Sequence, residues 1–357
     1  MANAVLYGFH DLQSIFAEVV TSENIPVVDR AITRTVEAHN TQVQAFTNLF
    51  ATPTELHSVR YQQFAGARLQ PLDEKGRARP IQVGGYYDVG FPIRDAGTAF
   101  GETYKARAKM TVGDANRVMA TILTADRVWI RDQILSALFA MAAYNFEDPK
   151  FGTISVKPLA LASDGVTYLR NGSLAASTDT HQFAQAAAIA DATDPYPTIY
   201  ADLTEHPENS GEVIAFIPTD LRATTELLAG FHARTDPDIE PALTAARLTG
   251  SLGATVPGTV IGKHDSGVWI VEWTSVPAGY ILATMTEAEP ALAMRQEPEA
   301  SLQGFYKVPE DRNDHPFYEA QWARHAGFGA WNRVGAVVYR IGNGTYAVPA
   351  NLTPPIP

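Results

Sequence analysis

GFGAWNRVGAVVYRIGNGTYAVP, running from Gly327 to Pro349, holds five glycines, an asparagine–arginine pair and a run of β-forming residues. Two folds compete for it. Glycines at a strand end can cradle a phosphate, which would make this a nucleotide-binding α/β protein. Glycines can equally punctuate strands in a protein that carries no chemistry. A dinucleotide fingerprint needs G-x-G-x-x-G after a strand and opening a helix, so that backbone amides point at the pyrophosphate. Gly327 and Gly329 supply only the first half, because the third glycine is replaced by Asn332. The following RVGAVVYRI is strand-like and offers no helix N-terminus. The segment therefore reads as strands. Gly327 and Gly329 form a bend between FYEAQWARH and AWNRVGAVVYRI, and Gly342-Asn343-Gly344 forms a turn that sends TYAVP back. Asn332 and Arg333 are polar residues entering an apolar strand. They are expected to hydrogen-bond within the subunit or across an interface.

Working outward, the whole chain has 357 residues, enough for two or three domains. Its net charge of −12 and lack of a contiguous basic patch disfavour gripping a nucleic-acid backbone. Without cysteine there is no disulfide, thiolate metal site or cysteine nucleophile. The N-terminus has no basic segment leading into an apolar core, so it does not read as a secretory signal. No apolar run approaches the roughly 20 residues that span a bilayer. The expected site of synthesis is the cytoplasm.

Met1 to Phe50 reads as an amphipathic helical arm, with Val28, Ile32, Val36, Val43, Phe46 and Phe50 near a 3.6-residue period. Its apolar face needs a partner, either the chain's own body or a neighbour. From Arg60 to Arg94 two strands flank the polar tip DEKGRARP, forming a long hairpin. The tip carries Asp73, Glu74, Lys75, Arg77 and Arg79, which suit either a solvated turn or a docking tip for a neighbouring subunit. Asp114 to Ala142 contains neither Gly nor Pro. It predicts a helix capped by Asp114, with Ile122, Trp129, Ile134 and Leu138 in its apolar face. Charges at Arg117, Asp126, Arg127, Arg131 and Asp132 rule it out as a membrane span. Further on, THQFAQAAAIADA predicts a helix capped by Thr180, and TIYADLTEH another. GEVIAFIPTDL predicts a buried strand turning into the helix RATTELLAGF. GTVIGKHDSGVWIVEW predicts a hairpin and GYILATM a strand. The strands GTISVKPLA and VTYLR are joined through the turn Asp164-Gly165.

A search for chemistry comes back empty. His57, His181, His206, His232, His264, His315 and His325 are scattered, without HExxH or an i, i+4 pair, and read as surface or hydrogen-bonded side chains. TDPDIE lacks the glycine and terminal glutamate of an EF-hand loop. His264, Asp265 and Ser266 are adjacent, which fits a hairpin turn better than a relay assembled from distant segments. No catalytic, cofactor-binding or metal residue is assigned.

The order of elements resembles the major capsid protein of tailed bacteriophages, the α+β Johnson fold. The segments EHPENSGEVIAFIPTDLRATTELLAGF (Glu205 to Phe231), VPGTVIGKHDSGVWIVEWTSVPAGYILA (Val256 to Ala283), LAMRQEPEASLQGF (Leu292 to Phe305) and FYEAQWARHAGFGAWNRVGAVVYRIGNGTYAVP (Phe317 to Pro349) are similar to that family's wording. The resemblance implies an N-terminal arm over 1–55, an extended loop (the long β-hairpin) over 56–109, and a peripheral domain with a long spine helix over 110–150. It further implies an α/β axial domain over 151–289 and return strands with a C-terminal tail over 290–357. The implied function is a structural, non-enzymatic shell. Its pentamers and hexamers would close around double-stranded DNA without sequence-specific binding. A separate scaffolding protein, a portal and a decoration protein are the implied partners, with no cofactor and no membrane. Arm residues Val28, Ile32, Val36 and Phe46 and the hairpin tip become contacts to neighbouring subunits. Lys75 is the one tip lysine that could form the covalent crosslink of certain relatives. An encapsulin-type compartment is the alternative with the same fold, and a soluble α/β enzyme is the more distant one.

Overall fold

The computed structural model describes residues 25–64, 71–78, 83–173, 176–233, 256–308 and 317–356. The first part of the arm, Arg79, the TDPDIE segment and His315 lie outside these residues. In chain order the elements are α1 (Ile25–Thr47), β1 (Ala51–Thr54), β2 (Ser58–Phe64), β3 (Val83–Gly90), β4 (Arg94–Thr103), α2 (Tyr104–Arg107) and α3 (Val112–Phe139). Next come β5 (Tyr144–Asp148), β6 (Gly152–Val156), β7 (Thr167–Tyr168), β8 (Ser177–Thr178), β9 (Gln182–Gln185), α4 (Tyr196–Thr204), β10 (Val213–Ile217) and α5 (Thr219–Glu226). Then follow β11 (Phe231–Ala233), β12 (Thr259–His264), β13 (Trp269–Glu272), β14 (Tyr280–Met285), β15 (Leu292–Gln296), β16 (Phe305–Lys307), β17 (Phe317–Ala330) and β18 (Ala336–Ile341). The chain divides into two compact units, each assembled from three separate stretches.

The first unit takes 1–47, 93–133 and 295–327. Here β17 is paired antiparallel with both β4 and β16. The α1 stripe predicted from its period is used locally. Val28, Ala31, Ile32 and Val36 pack with Met119, Ile122 and Leu123 of α3 and with Phe305 and Trp322 of the strands. Asn40 extends the same join, because its side chain exchanges two hydrogen bonds with the Phe305 backbone, at 2.8 and 2.9 Å. The α3 start is a reciprocal cap. Thr111 Oγ1 accepts from the Asp114 amide, and the Asp114 carboxylate accepts from the amide and hydroxyl of Thr111. Thr111 is therefore the N-cap, with Asp114 three residues inside. Hydrogen bonds from Thr111 and then Arg117 hold the Asp114 carboxyl down at about 2.

The second unit takes 48–92, 134–294 and 328–357. Its centre is a seven-stranded mixed sheet, β11-β12-β13-β10-β14-β18-β9, parallel at β10/β13 and β18/β9. Every residue of β10 and β14 is buried. Helix α4 supplies Tyr196, Ile199 and Leu203 to this core, and α5 supplies Leu221. The unit also holds three two-stranded ribbons, β2/β3, β5/β6 and β7/β8, together with β1 and residues 292–294 of its neighbouring strand β15.

Several expectations change. The returning strand of the long hairpin is two strands, since β3 pairs with β2 whereas β4 pairs with β17. The break falls at Phe91-Pro92-Ile93, where Pro92 has no N–H to continue a ladder. The residues after Thr180 form β9 instead of a helix, because β9 adds parallel to β18 and Phe183 stacks on Tyr339 at 5.7 Å. Helix α3 stops at Phe139, short of Ala142, where Tyr346 and Gln182 donate to the carbonyls of Phe139 and Ala140. The strands flanking Asp164-Gly165 do not pair with each other; β6 joins β5 and β7 joins β8. There is no bend at Gly327 and Gly329, through which β17 runs unbroken. Gly329 instead permits a close approach, since a Cβ there would sit 2.7 Å from the Gly90 carbonyl oxygen. Gly342-Asn343-Gly344 does turn, with the Asn343 side chain accepting from the Thr345 amide, but no strand returns over TYAVP.

Candidate functional site: assembly elements and buried charge clusters

The hairpin tip is a self-sufficient turn. Asp73 accepts from the amides of Lys75 and Arg77 through its carboxylate, at 2.9 and 2.8 Å, and from Gly76 through its carbonyl. Asp73, Glu74, Lys75 and Arg77 are all exposed. The arm contributes differently. Val28 is buried within its own unit, while Ile32 and Val36 pack onto the same core and Phe46 is half-buried. Of the face assigned to neighbouring subunits, Val28 is thus covered by the chain itself, while Ile32, Val36 and Phe46 keep part of their surface. Of the α3 residues, Ile122, Ile134 and Leu138 are buried, whereas Trp129 is only half-buried.

Asn332 and Arg333 lie in the turn between β17 and β18, ahead of the strand they were read into. Arg333 is buried and donates to the carbonyls of Pro158 at 2.7 Å and Leu159 at 3.1 Å, and to the Asp164 carboxylate. Asn332 donates to the Glu289 carbonyl at 3.1 Å. Both bond within the subunit.

Two charge clusters escape local sequence patterns. In the first unit, Asp126 projects from α3 into the protein with its side chain 2% exposed. Arg324 of β17 grips it bidentately, Nε to Oδ1 at 2.5 Å and Nη2 to Oδ2 at 2.8 Å, and His39 Nε2 lies 2.7 Å from Oδ2. Burial pushes the Asp126 carboxyl up, but His39 and Arg324 outweigh it and hold it below its ordinary value. Spacing was the available signal, since Asp126 follows Ile122 and Leu123 and precedes Ile130 on the apolar stripe.

In the second unit, Asp179 follows β8, His181 precedes β9, and His206 follows α4. The His181 backbone is clamped between the Ala160 carbonyl and the Val338 amide, both at 3.0 Å. His206 Nε2 lies 2.8 Å from Asp179 Oδ2 and 3.2 Å from His181 Nε2. Arg170 contacts Asp179 Oδ1 at 2.8 Å and Glu205 at 3.2 Å. Burial raises Asp179, yet the hydrogen bonds of His181 and His206 bring it well below the carboxylate range. Burial pushes Asp202 up to about 6. His206 is lowered by burial but raised further by Asp179. The seven scattered histidines thus include a converging pair.

His264 keeps the turn role assigned to its segment. Its Nδ1 accepts from the Ser266 amide at 3.2 Å, and its Nε2 lies 3.0 Å from Asp194. Asp265-Ser266-Gly267 joins β12 to β13. Among the described residues, no helix is long and apolar enough to cross a membrane.

No protein-family profile and no curated protein sequence matches this chain. Among solved structures, a chain from Mycobacterium phage Patience is similar with a TM-score of 0.69, at 17% identity over 93% of this chain and 92% of that one. The capsid of a native GTA particle gives 0.46 at 10% identity, covering 85% and 91%. The Cyanophage Pam1 capsid asymmetric unit gives 0.45 at 13% identity, covering 81% and 86%. The likeness to the Patience chain, extending over nearly the whole of both, shows that this chain has the mixed α+β Johnson fold.

Proposed function

We propose that this chain is the non-enzymatic wall subunit of an icosahedral phage head, assembling as pentamers and hexamers around double-stranded DNA. The observation that carries this reading is the shared fold with a phage chain over 93% of the present one. The reading places the protein in the virion after assembly in the host cytoplasm. It assigns 1–55 to the arm, 56–109 to the extended loop, 110–150 to the peripheral domain with its spine helix, 151–289 to the axial domain and 290–357 to the return strands. A separate scaffolding protein, a portal and a decoration protein are the expected partners.

Closed shells need surfaces that meet repeatedly around each axis. The hairpin is the element best placed for this. Its described tip residues, 71–78, are all exposed, and Leu56, Leu72 and Tyr86 of the same segment are 51%, 60% and 63% exposed. Buried apolar area contributes gross stabilisation of roughly 25 cal/mol per Å², and association costs offset much of it, so many modest contacts must add over the shell. An acidic protein suits a container that need not grip its polyanion. The test is negative-stain microscopy and light scattering of the full chain co-expressed with its scaffold, beside a variant lacking residues 73–79. Shells from wild type and impaired or weakened shells from the deletion are expected. A stable monomer or dimer from wild type overturns the shell reading; equally stable shells from the deletion overturn the role of the tip.

A further inference from the structure

At the buried cluster of the second unit both histidines have their Nδ1 atoms committed. His181 Nδ1 lies 3.0 Å from the Ala336 carbonyl oxygen, and His206 Nδ1 lies 2.9 Å from that of Leu169. A carbonyl can only accept, so each Nδ1 carries its ring's proton. In neutral imidazoles both Nε2 atoms are then bare lone pairs. They face each other across 3.2 Å, and Asp179 Oδ2 completes a triangle at 2.8 Å from His206 and 3.5 Å from His181. With both rings neutral, three acceptors converge with no donor among them. Both histidine side chains are 0% exposed and that of Asp179 is 5% exposed, so water does not relieve the arrangement. In a dry site such a convergence is costly unless positive charge lies within it.

The spacing selects the kind of charge. A tetrahedral ion with bonds of about 2.0–2.1 Å to imidazole nitrogen and carboxylate oxygen sets its ligands about 3.3 Å apart. The three edges observed bracket that value. Histidines bound to a metal ordinarily donate their other ring N–H to a carbonyl or carboxylate, which fixes the tautomer and aims the free nitrogen. Both histidines here do so. Arg170 holds Asp179 Oδ1 and leaves Oδ2 facing the imidazoles. The local charges agree as well. Asp179, Asp202 and Glu205 stand against the single guanidinium of Arg170, which leaves two negative charges uncompensated. Asp202 Oδ2, 3.4 Å from His181 Nδ1, is buried without a hydrogen-bond partner.

We propose that His181 Nε2, His206 Nε2 and Asp179 Oδ2 form a structural site for a divalent ion of the zinc class. Two imidazoles and a carboxylate are donors that suit zinc. Glu205 Oε1, 3.9 Å from His206 Nε2, is a fourth donor within reach. The ion ties the turn after α4 to the start of β9, segments that are 25 residues apart in sequence. Its job is to hold the β9 edge of the sheet, and the inference stands whether or not the chain builds a shell.

The test uses the full chain without an affinity tag, expressed in zinc-supplemented and, separately, cobalt-supplemented minimal medium. Metal content is measured by mass spectrometry and the cobalt form by visible absorption. The wild type is expected to hold a single ion per chain, to show the visible bands of four-coordinate cobalt, and to melt at lower temperature after treatment with chelator. The double variant Asp179→Asn with His206→Asn is expected to lose the ion and its response to chelator. Wild-type protein that is folded yet holds no stoichiometric metal overturns the proposal, as does a folded double variant that keeps its ion. A metal-free wild type whose His206 ring is an imidazolium by NMR also overturns it, in favour of a shared proton. Because the wild-type measurements need no variant, misfolding of the double variant leaves the proposal open to refutation.

Discussion

Replacing Asp126 by alanine deletes the carboxylate that both Arg324 and His39 face inside the first unit. Arg324 has a side chain 5% exposed, and its remaining hydrogen bond from Nη2 runs 3.2 Å to Asn40 Oδ1. The guanidinium keeps its charge at any accessible pH, so it stays buried and ionised. Breaking a buried pair in this way costs about 3–5 kcal/mol, because the uncompensated charge dominates the loss. With a urea slope of about 3 kcal/mol/M the unfolding midpoint falls by about 1–2 M. Tryptophan fluorescence reports the transition, since Trp322 lies in the core of this unit. Protein concentration must be fixed and assembly prevented, as association stabilises by mass action. The double variant Asp126→Ala with Arg324→Met is expected to regain most of the loss, since it removes the orphaned cation. The pH dependence has a definite sign. The Asp126 carboxyl is held below its ordinary 3.8 in the folded protein. Its stabilisation is therefore complete above 3.8 and disappears as pH falls through the folded value. The gap between wild type and Asp126→Ala should narrow below that pH. A single variant as stable as wild type, or a double variant no better than the single, refutes the reasoning.

Arg333→Met is expected to lower stability by about 2–5 kcal/mol, because the carbonyls of Pro158 and Leu159 and the Asp164 carboxylate lose their donor together. Urea unfolding of the full chain checks this, and an unchanged midpoint would sink it. Gly258→Ala should be more than about 1 kcal/mol destabilising. The residue has φ +101°, and a Cβ there would sit 2.1 Å from the Glu272 carbonyl oxygen. Thermal melting of the variant indistinguishable from wild type would show that the β12–β13 edge relaxes freely.

The parts of the fold that could be read ahead of the structure are those whose information is local. Helix α3 shows an apolar stripe over its whole length, β10 is an unbroken apolar run and β14 one interrupted only by Thr284, and Asp265-Ser266-Gly267 is a turn between two β-rich segments. What escaped depends on partners far along the chain. The Ala-rich segment after Thr180 has helical composition, and only the parallel pairing with β18 makes Gln182–Gln185 a strand. The helix end at Phe139 is set by Tyr346, a residue 207 positions away, although Ala140, Ala142 and Ala143 would favour continuation. Gly327 and Gly329 looked like a bend because glycine frees the backbone. At Gly329 the glycine serves proximity, and the proximate strand could not be known from the segment itself.

The functional residues divide along the same line, and in the shell reading the division moves weight from the described arm residues to the hairpin. Periodicity identifies an apolar helix face but cannot say which surface covers it. The sequence therefore left Val28, Ile32 and Val36 open to either the chain's own body or a neighbour, and the structure places them on the former. Val28, already buried against this core, can add little to a contact between subunits, and the half-buried Ile32 and Val36 can add only the part of their area that is still exposed. Leu72 of the tip segment and Tyr86 of β3 are in the opposite position: both are exposed, with their area unused. The β2/β3 ribbon is also anchored at its base, where Tyr61 meets Trp331 edge-on at 6.4 Å and Phe91 stacks on Trp331 at 5.5 Å. An element fixed at one end and uncovered at the other can reach a neighbour without losing its own fold. In the shell reading, the charged tip then sets orientation through groups that cost little to leave solvated, and the apolar residues behind it supply the area.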